Sequence, residues 1–76
     1  MNQRISLTAT SHPDEDRMIV EIWLDGALAV ELLEGRPEDT LLLYPHPGGG
    51  PWTVTTSLLE EAVRAASARM DALLGR

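Results

Sequence analysis

The sequence predicts an α+β fold, in which an antiparallel meander sheet of four strands is followed by one C-terminal α-helix packed on one face. Apolar and polar residues alternate over 4–10, as in a half-buried strand. Asp25-Gly26 separates two segments rich in aliphatic residues and is a strong hairpin signal. Residues 57–74 carry an apolar stripe with helical spacing.

The strands follow one another through short polar connections. They are predicted at 4–10, 17–24, 27–34 and 40–44. Pro45 ends the fourth strand because proline lacks the amide N–H that a strand interior needs. The segment 45–51 is rich in proline and glycine and is predicted to hold no regular structure. Residues 52–55 are extended, which leaves a short fifth strand open.

The helix is predicted over 57–74. Ser57 and Glu60 have the spacing of a capping box, in which each side chain accepts a hydrogen bond from a free amide of the first turn. Gly75 suits the left-handed conformation that ends many helices. The apolar stripe that faces the sheet consists of Leu59, Ala62, Val63, Ala66, Met70, Leu73 and Leu74.

Side-chain parity predicts the register of the central hairpin. A two-residue loop at Asp25-Gly26 would place Glu31 opposite Val20 and mix carboxylates with aliphatic residues on each face. A three-residue loop that begins at Leu24 makes one face aliphatic, and burial favours that register. It pairs Ile22 with Leu28, Val20 with Val30 and Met18 with Leu32.

The sheet face opposite the helix, which we call the open face, is predicted to be partly apolar. In this register it carries Glu21, Ala27, Ala29 and Glu31 together with Ile19, Trp23 and Leu33, and Leu42 and Tyr44 extend it on the fourth strand. One helix covers only one face of a sheet. An exposed apolar face is typical of a binding surface. The alternative is that the Pro-Gly segment and Trp52 fold over it.

The acidic residues concentrate in the connections. In a meander, the first and third connections lie at the same end of the sheet. We call the carboxylates gathered there the acidic rim: Asp14, Glu15, Asp16, Glu38 and Asp39. One interpretation is that these charges orient a basic partner as it approaches. The alternative is that they form a solvated edge that keeps a small protein soluble.

Length and charge restrict the class of protein. The chain has 76 residues, about half the usual length of a domain, so residues 1–76 are predicted to form a single small domain. The formal net charge is −6, which argues against direct binding to nucleic acid or to anionic membranes. Without a cysteine, an apolar span or a signal-peptide pattern, a cytoplasmic location is expected.

No motif in the sequence predicts catalysis, a metal site or a cofactor. His12 and His46 lie beside prolines in connections, at a spacing that matches no metal-ligand pattern. The glycines 48–50 lack the Lys-Ser/Thr sequence of a phosphate-binding loop. A sheet of this size offers little concave volume for a substrate. We therefore expect no enzyme and no catalytic residues.

The leading hypothesis is a small acidic protein-binding module that occludes a basic partner surface, such as an antitoxin, an immunity protein or a phage-encoded inhibitor. Six arginines with no lysine indicate a GC-rich bacterial or phage genome. A small sheet followed by a helix that opens with residues 58–62, Leu-Leu-Glu-Glu-Ala, loosely resembles HicB-type antitoxin domains, although their Gly/Thr-containing turn is missing. The alternative is a structural homodimer, or a small subunit of a larger assembly, with no inhibitory role.

Overall fold

The computed structural model describes residues 3–76, so the first two residues of the predicted domain lie outside the described part. The described residues form β1 (Ile5–Ser11), β2 (Met18–Leu24), β3 (Ala27–Leu33), β4 (Thr40–Leu43) and α1 (Thr56–Leu74). The sheet is antiparallel in the order β1-β2-β3-β4, which confirms the predicted meander and helix. Element ends differ from the predicted ones by at most one residue. Residues 52–55 form no strand.

The β2–β3 hairpin has a two-residue turn, and its register shifts by one residue further along the strands. Asp25 and Gly26 both have positive φ, 52° and 82°, and Leu24 pairs with Ala27, so the predicted three-residue loop is wrong. A β-bulge then inserts one extra residue on β3, since Trp23 pairs with Leu28 while Ile22 pairs with Val30.

The bulge decides which side chains of β3 face the helix. Val30 and Leu32 lie opposite Ile22 and Val20 on the helix side, and Glu31 is left on the open face. The aliphatic face that burial demands is therefore reached by an extra residue within the strand rather than by a longer loop. The predicted pairings of Ile22, Val20 and Met18 are accordingly wrong.

Two residues expected on the open face lie on the helix side instead. Ala29 belongs to the buried core and is 3% exposed, and Ala27 pairs with the core residue Leu24. Leu28 takes their place on the open face, opposite Trp23. The bulge causes both corrections, because it shifts the alternation of β3 by one residue.

The N-cap of the helix lies two residues earlier than the capping box predicts. Thr55 is the N-cap, and its hydroxyl accepts a hydrogen bond from the amide of Leu58 at 3.1 Å. Ser57 therefore lies inside the helix, and the predicted capping box with Glu60 is not formed. Gly75 ends the helix with φ 69°, and its amide donates to the carbonyl of Ala72, as predicted.

The core lies between α1 and the helix side of the sheet. Its helical contribution is Leu58, Ala62, Ala66 and Met70. The two alanines are fully buried, and their small side chains let the helix backbone approach β2 closely. The predicted stripe is correct in its centre but not at its edges, because Leu59 and Leu73 are exposed and Leu58 takes the core position.

The segment before the helix packs on the same side as the helix. Trp52 and Val54 contact the core cluster of sheet and helix residues. Trp52 therefore does not cover the open face, and that alternative is wrong. His46 lies against Trp52, with their ring centroids 4.6 Å apart in an edge-to-face arrangement.

Candidate functional site

The strand register brings the predicted apolar binding residues to the open face. Ile19 pairs with Leu33 across β2 and β3, and Leu42 pairs with Glu31 across β3 and β4. Trp23 lies two positions beyond Glu21 on the same side of β2, and Tyr44 lies just after β4. Alternation along the strands places all five on the open face.

These apolar side chains differ in exposure. Ile19 is buried at 7% exposure, yet it is not part of the core cluster against the helix. Trp23 and Leu33 are half-buried, whereas Leu42 and Tyr44 are exposed. The open face therefore has its own small apolar centre at Ile19, and its accessible apolar surface lies toward β4.

Two carboxylates lie at the middle of this face. Glu21 and Glu31 are paired directly across β2 and β3, and both are half-buried. The indole N–H of Trp23 donates to Oε1 of Glu21 at 3.4 Å, and the hydroxyl of Tyr44 donates to Oε1 of Glu31. Among the described residues, no ion pair involves either carboxylate.

Sequence reasoning placed Glu21 and Glu31 on this face but did not include them among the binding residues. The available signal was their parity: Glu21 lies between Ile19 and Trp23 at the alternate-residue spacing of a strand. What parity did not provide was the direct pairing of the two, because the bulge in β3 sets that register.

The structure gathers the acidic rim at one end of the sheet. At this end, Oε1 of Glu34, at the start of the β3–β4 connection, accepts from the amide of Met18, the first residue of β2, at 2.8 Å. The rim is partly neutralised, since Glu15 forms an ion pair with Arg17 at 2.9 Å and Asp39 forms one with Arg76.

The other rim carboxylates form no ion pair within the described residues. They are Asp14, Asp16 and Glu38, and all three are exposed. Only part of the predicted rim is therefore available as uncompensated negative charge. Asp39 instead has a structural role, since its Oδ1 accepts from the amide of Gly35 at 3.1 Å.

The opposite end of the sheet carries a compensated pair. Arg4 donates to both carboxylate oxygens of Asp25, at 2.9 and 2.8 Å, and this contact ties the start of β1 to the hairpin turn. The hydrogen bonds from Arg4 lower the pKa of Asp25 below its ordinary value, and the opposite charge acts in the same direction.

Both histidines accept hydrogen bonds within their own connections. Nδ1 of His12 accepts from the amide of Asp14 at 3.1 Å, and Nδ1 of His46 accepts from the amide of Gly48 at 3.0 Å. Residues 3–76 contain no group of three or more potential metal ligands. They also contain no helix long and apolar enough to cross a membrane.

Comparison of the chain with protein-family models, curated proteins and solved structures finds no significant match to any of them.

Proposed function

We propose that this protein is a non-enzymatic binding module whose open face docks on another protein. One observation carries the proposal: aliphatic and aromatic side chains surround two facing carboxylates that no cation of the described chain neutralises. Apolar surface supplies the driving force of association, and buried charge needs a partner of opposite sign. The matching surface is apolar and presents an arginine or lysine to Glu21 and Glu31.

Arginine suits this position better than lysine. Its planar guanidinium offers five N–H donors in a fixed arrangement and stacks on aromatic rings. Trp23 and Tyr44 each lie within hydrogen-bonding contact of one of the two carboxylates. An arginine between Glu21 and Glu31 would therefore find both acceptors and aromatic surface.

The same carboxylates oppose a homodimer built by stacking two open faces. That arrangement would bring Glu21 and Glu31 of both copies into one desolvated layer, between chains that each carry a net charge of −6. Burial of unneutralised charge costs far more than the apolar contact gains. The open face is therefore better suited to a basic partner than to its own copy.

The remaining rim charges have a second role in this proposal. Asp14, Asp16 and Glu38 lie at one end of the sheet, are exposed, and form no ion pair within the described residues. Charges at the margin of an interface accelerate the encounter more than they strengthen the final complex. The mechanism is occlusion of a basic surface, as an antitoxin, an immunity protein or a phage-encoded inhibitor performs it, and we place it in the cytoplasm.

The test compares two apolar-to-acid variants. Trp23→Asp alters the open face, and Leu73→Asp alters an exposed leucine on the helix as a matched control. A protein captured by the wild-type chain is purified, and its affinity for each variant is measured by titration calorimetry. We expect Trp23→Asp to weaken binding at least ~10-fold, since interface aromatics commonly contribute above 1 kcal/mol. Equal affinities of both variants would overturn the proposal.

A charge-reversal variant tests the basic partner separately. Glu21→Lys places a cation where the partner's cation is expected, and should weaken binding more than Glu21→Gln does. Circular dichroism and thermal melting confirm that each variant is folded. Binding that is insensitive to Glu21→Lys would contradict a basic side chain at this position.

A further inference from the structure

Exposed apolar side chains are concentrated around β4. Among residues 3–76, the large hydrophobic side chains that remain exposed are Leu41, Leu42, Leu43, Tyr44, Leu59 and Leu73. Four of the six are consecutive on or directly after β4, and Leu43 is 75% exposed. Leu59 lines a cavity of about 270 Å³ together with Leu43 and Tyr44. The helix lies across β2 and leaves the helix side of β4 uncovered.

The backbone of β4 is exposed along one side. β4 is one of the two edge strands of the described sheet. The amide of Tyr44 donates to the carbonyl of Ala29, so it points toward β3. Because backbone groups alternate in direction along a strand, those of Leu41 and Leu43 point away from β3. An uncharged apolar edge of this kind is a template for pairing with another strand.

We propose that β4 pairs antiparallel with β4 of a second copy of this chain. The two-fold axis passes beside Leu42, so that Leu41 of each copy lies opposite Leu43 of the other. Both residues direct their N–H and C=O groups outward, and this register therefore forms hydrogen-bonded pairs on both sides of the axis. The two four-stranded sheets become one continuous sheet of eight strands.

Self-pairing is favoured because the edge is complementary to itself. A two-fold interface uses the same patch on both copies, and the leucines at 41 and 43 are interchangeable across the axis. Leu42 meets its own copy on the open face. On the helix side, Leu41 and Leu43 of both copies join with Leu59 into one apolar cluster, which fills the cavity beside β4.

Charge selects the antiparallel arrangement. β4 itself is uncharged, but Glu38 and Asp39 precede it. Antiparallel pairing separates the acidic starts of the two strands to opposite ends of the interface and brings each near Pro45 and His46 of the other copy. Parallel pairing would place the four carboxyl groups side by side, where like charges repel.

The area required also argues for the helix-side cluster. A stable interface buries at least about 1,000 Å² in total. The ladder of a four-residue strand covers only part of that area. Burial of the leucines at 41, 42, 43 and 59 from both copies adds apolar area to it, and all four side chains are exposed in the single chain.

The other edge of the sheet serves as an internal control. The amide of Asp25 donates to the carbonyl of Arg4, and the amide of His12 donates to the carbonyl of Arg17. The backbone N–H and C=O groups of even-numbered residues in β1 therefore face β2, and those of Ala9 point outward. Its large apolar residues, Ile5 and Leu7, are buried or half-buried. Edge pairing by β1 would bury little additional apolar surface.

Two variants test the proposal, and each lacks one outward backbone N–H, on β4 in the first and on β1 in the second. Leu43→Pro eliminates an outward N–H without altering the ladder to β3, and Ala9→Pro does the same on β1. Sedimentation equilibrium across the micromolar range should give twice the 8.3 kDa chain mass for the wild type and for Ala9→Pro. Leu43→Pro should be monomeric, with a dissociation constant raised at least ~10-fold, which corresponds to ~1.4 kcal/mol.

Two results would overturn the proposal: a wild-type chain that stays monomeric at high micromolar concentration, or a dimer that Leu43→Pro leaves intact. Should Leu43→Pro fail to fold, amide hydrogen exchange of the wild type decides, since the amides of Leu41 and Leu43 must gain protection as concentration rises. The proposal does not rest on partner binding by the open face, although Leu42 belongs to both surfaces. Trp23→Asp is expected to remain dimeric, and a monomeric Trp23→Asp beside a dimeric Leu43→Pro would place the contact on the open face instead.

Discussion

Glu21 and Glu31 lie directly opposite each other on the two central strands of the sheet. Like charges in such a pair destabilise a sheet, and both carboxylates are half-buried. Each accepts a hydrogen bond from an aromatic neighbour on the open face, Glu21 from Trp23 and Glu31 from Tyr44. This arrangement is expected to lower the stability of the isolated chain.

Relieving this repulsion should stabilise the isolated protein. We expect Glu21→Gln to raise the free energy of unfolding by ~0.2–1 kcal/mol, the range for cross-strand pairs. The glutamine oxygen still accepts from Trp23. Urea denaturation at low and high salt measures the effect, which should shrink as salt screens the charges. Glu38→Gln, in an exposed connection, is the control and should change little. A destabilised Glu21→Gln would contradict the repulsion.

The contact between Arg4 and Asp25 predicts that the Asp25 carboxyl group titrates at a lower pH than an ordinary aspartate. Hydrogen bonds from Arg4 hold the pKa of Asp25 below its ordinary value of 3.8. A lowered pKa in the folded state means that the carboxylate stabilises the fold above pH 3.8, and that this contribution is lost as pH falls through the folded-state pKa. Carboxyl chemical shifts should show Asp25 titrating below 3.8 in the wild type and closer to it in Arg4→Gln.

Asp25→Asn separates the effect of the Asp25 charge on stability from the effect of the turn conformation. Asparagine tolerates the positive φ of position 25, so the hairpin is retained. Urea midpoints of the wild type and Asp25→Asn should differ slightly at neutral pH and converge at acid pH. A constant difference over the whole pH range would mean that the ion pair with Arg4 does not contribute.

The close approach of helix and sheet predicts sensitivity to side-chain size. Ala62 is fully buried where α1 packs on the core, whereas Ala68 is exposed on the other side of the helix. We expect Ala62→Leu to cost ~1–3 kcal/mol through overpacking. Ala68→Leu should change stability by less than ~0.5 kcal/mol. Chemical denaturation of both variants measures the contrast, and equal stabilities would mean that the helix does not pack as described.

The hairpin turn predicts a residue-specific cost at Gly26. Its φ is +82°, and a Cβ added there meets no other atom within 4 Å. The free-energy cost of a substitution therefore comes from the backbone conformation and not from a clash with neighbouring atoms. Gly26→Ala should destabilise the protein by ~1–2 kcal/mol. Gly26→Asn should cost less, because asparagine visits the left-handed region more readily. Thermal denaturation should therefore rank glycine above asparagine above alanine, and a reversed order of the two variants would contradict the turn geometry.

Much of the fold was predictable from short-range patterns. Alternation over 4–10 located β1, the Asp25-Gly26 pair located the hairpin, and Gly75 located the end of the helix. The helix start was less predictable because Thr55, Thr56 and Ser57 are all suitable caps. The part of the candidate site on β2 was predictable in the same way, since period-two spacing assigns Ile19 and Trp23 to one face.

Sequence by itself determined the order of the elements, the position of the hairpin at Asp25-Gly26 and the membership of the open face on β2, because each depends on the conformational preferences of neighbouring residues. Only the tertiary structure decided the bulge at Ala29 and, through it, the pairing of Glu21 with Glu31. The reason is that the extra residue is stabilised by burial of Val30 and Leu32 against the core, a contact between segments distant in sequence. The same packing turned Trp52 toward the helix side and left both faces of β4 exposed.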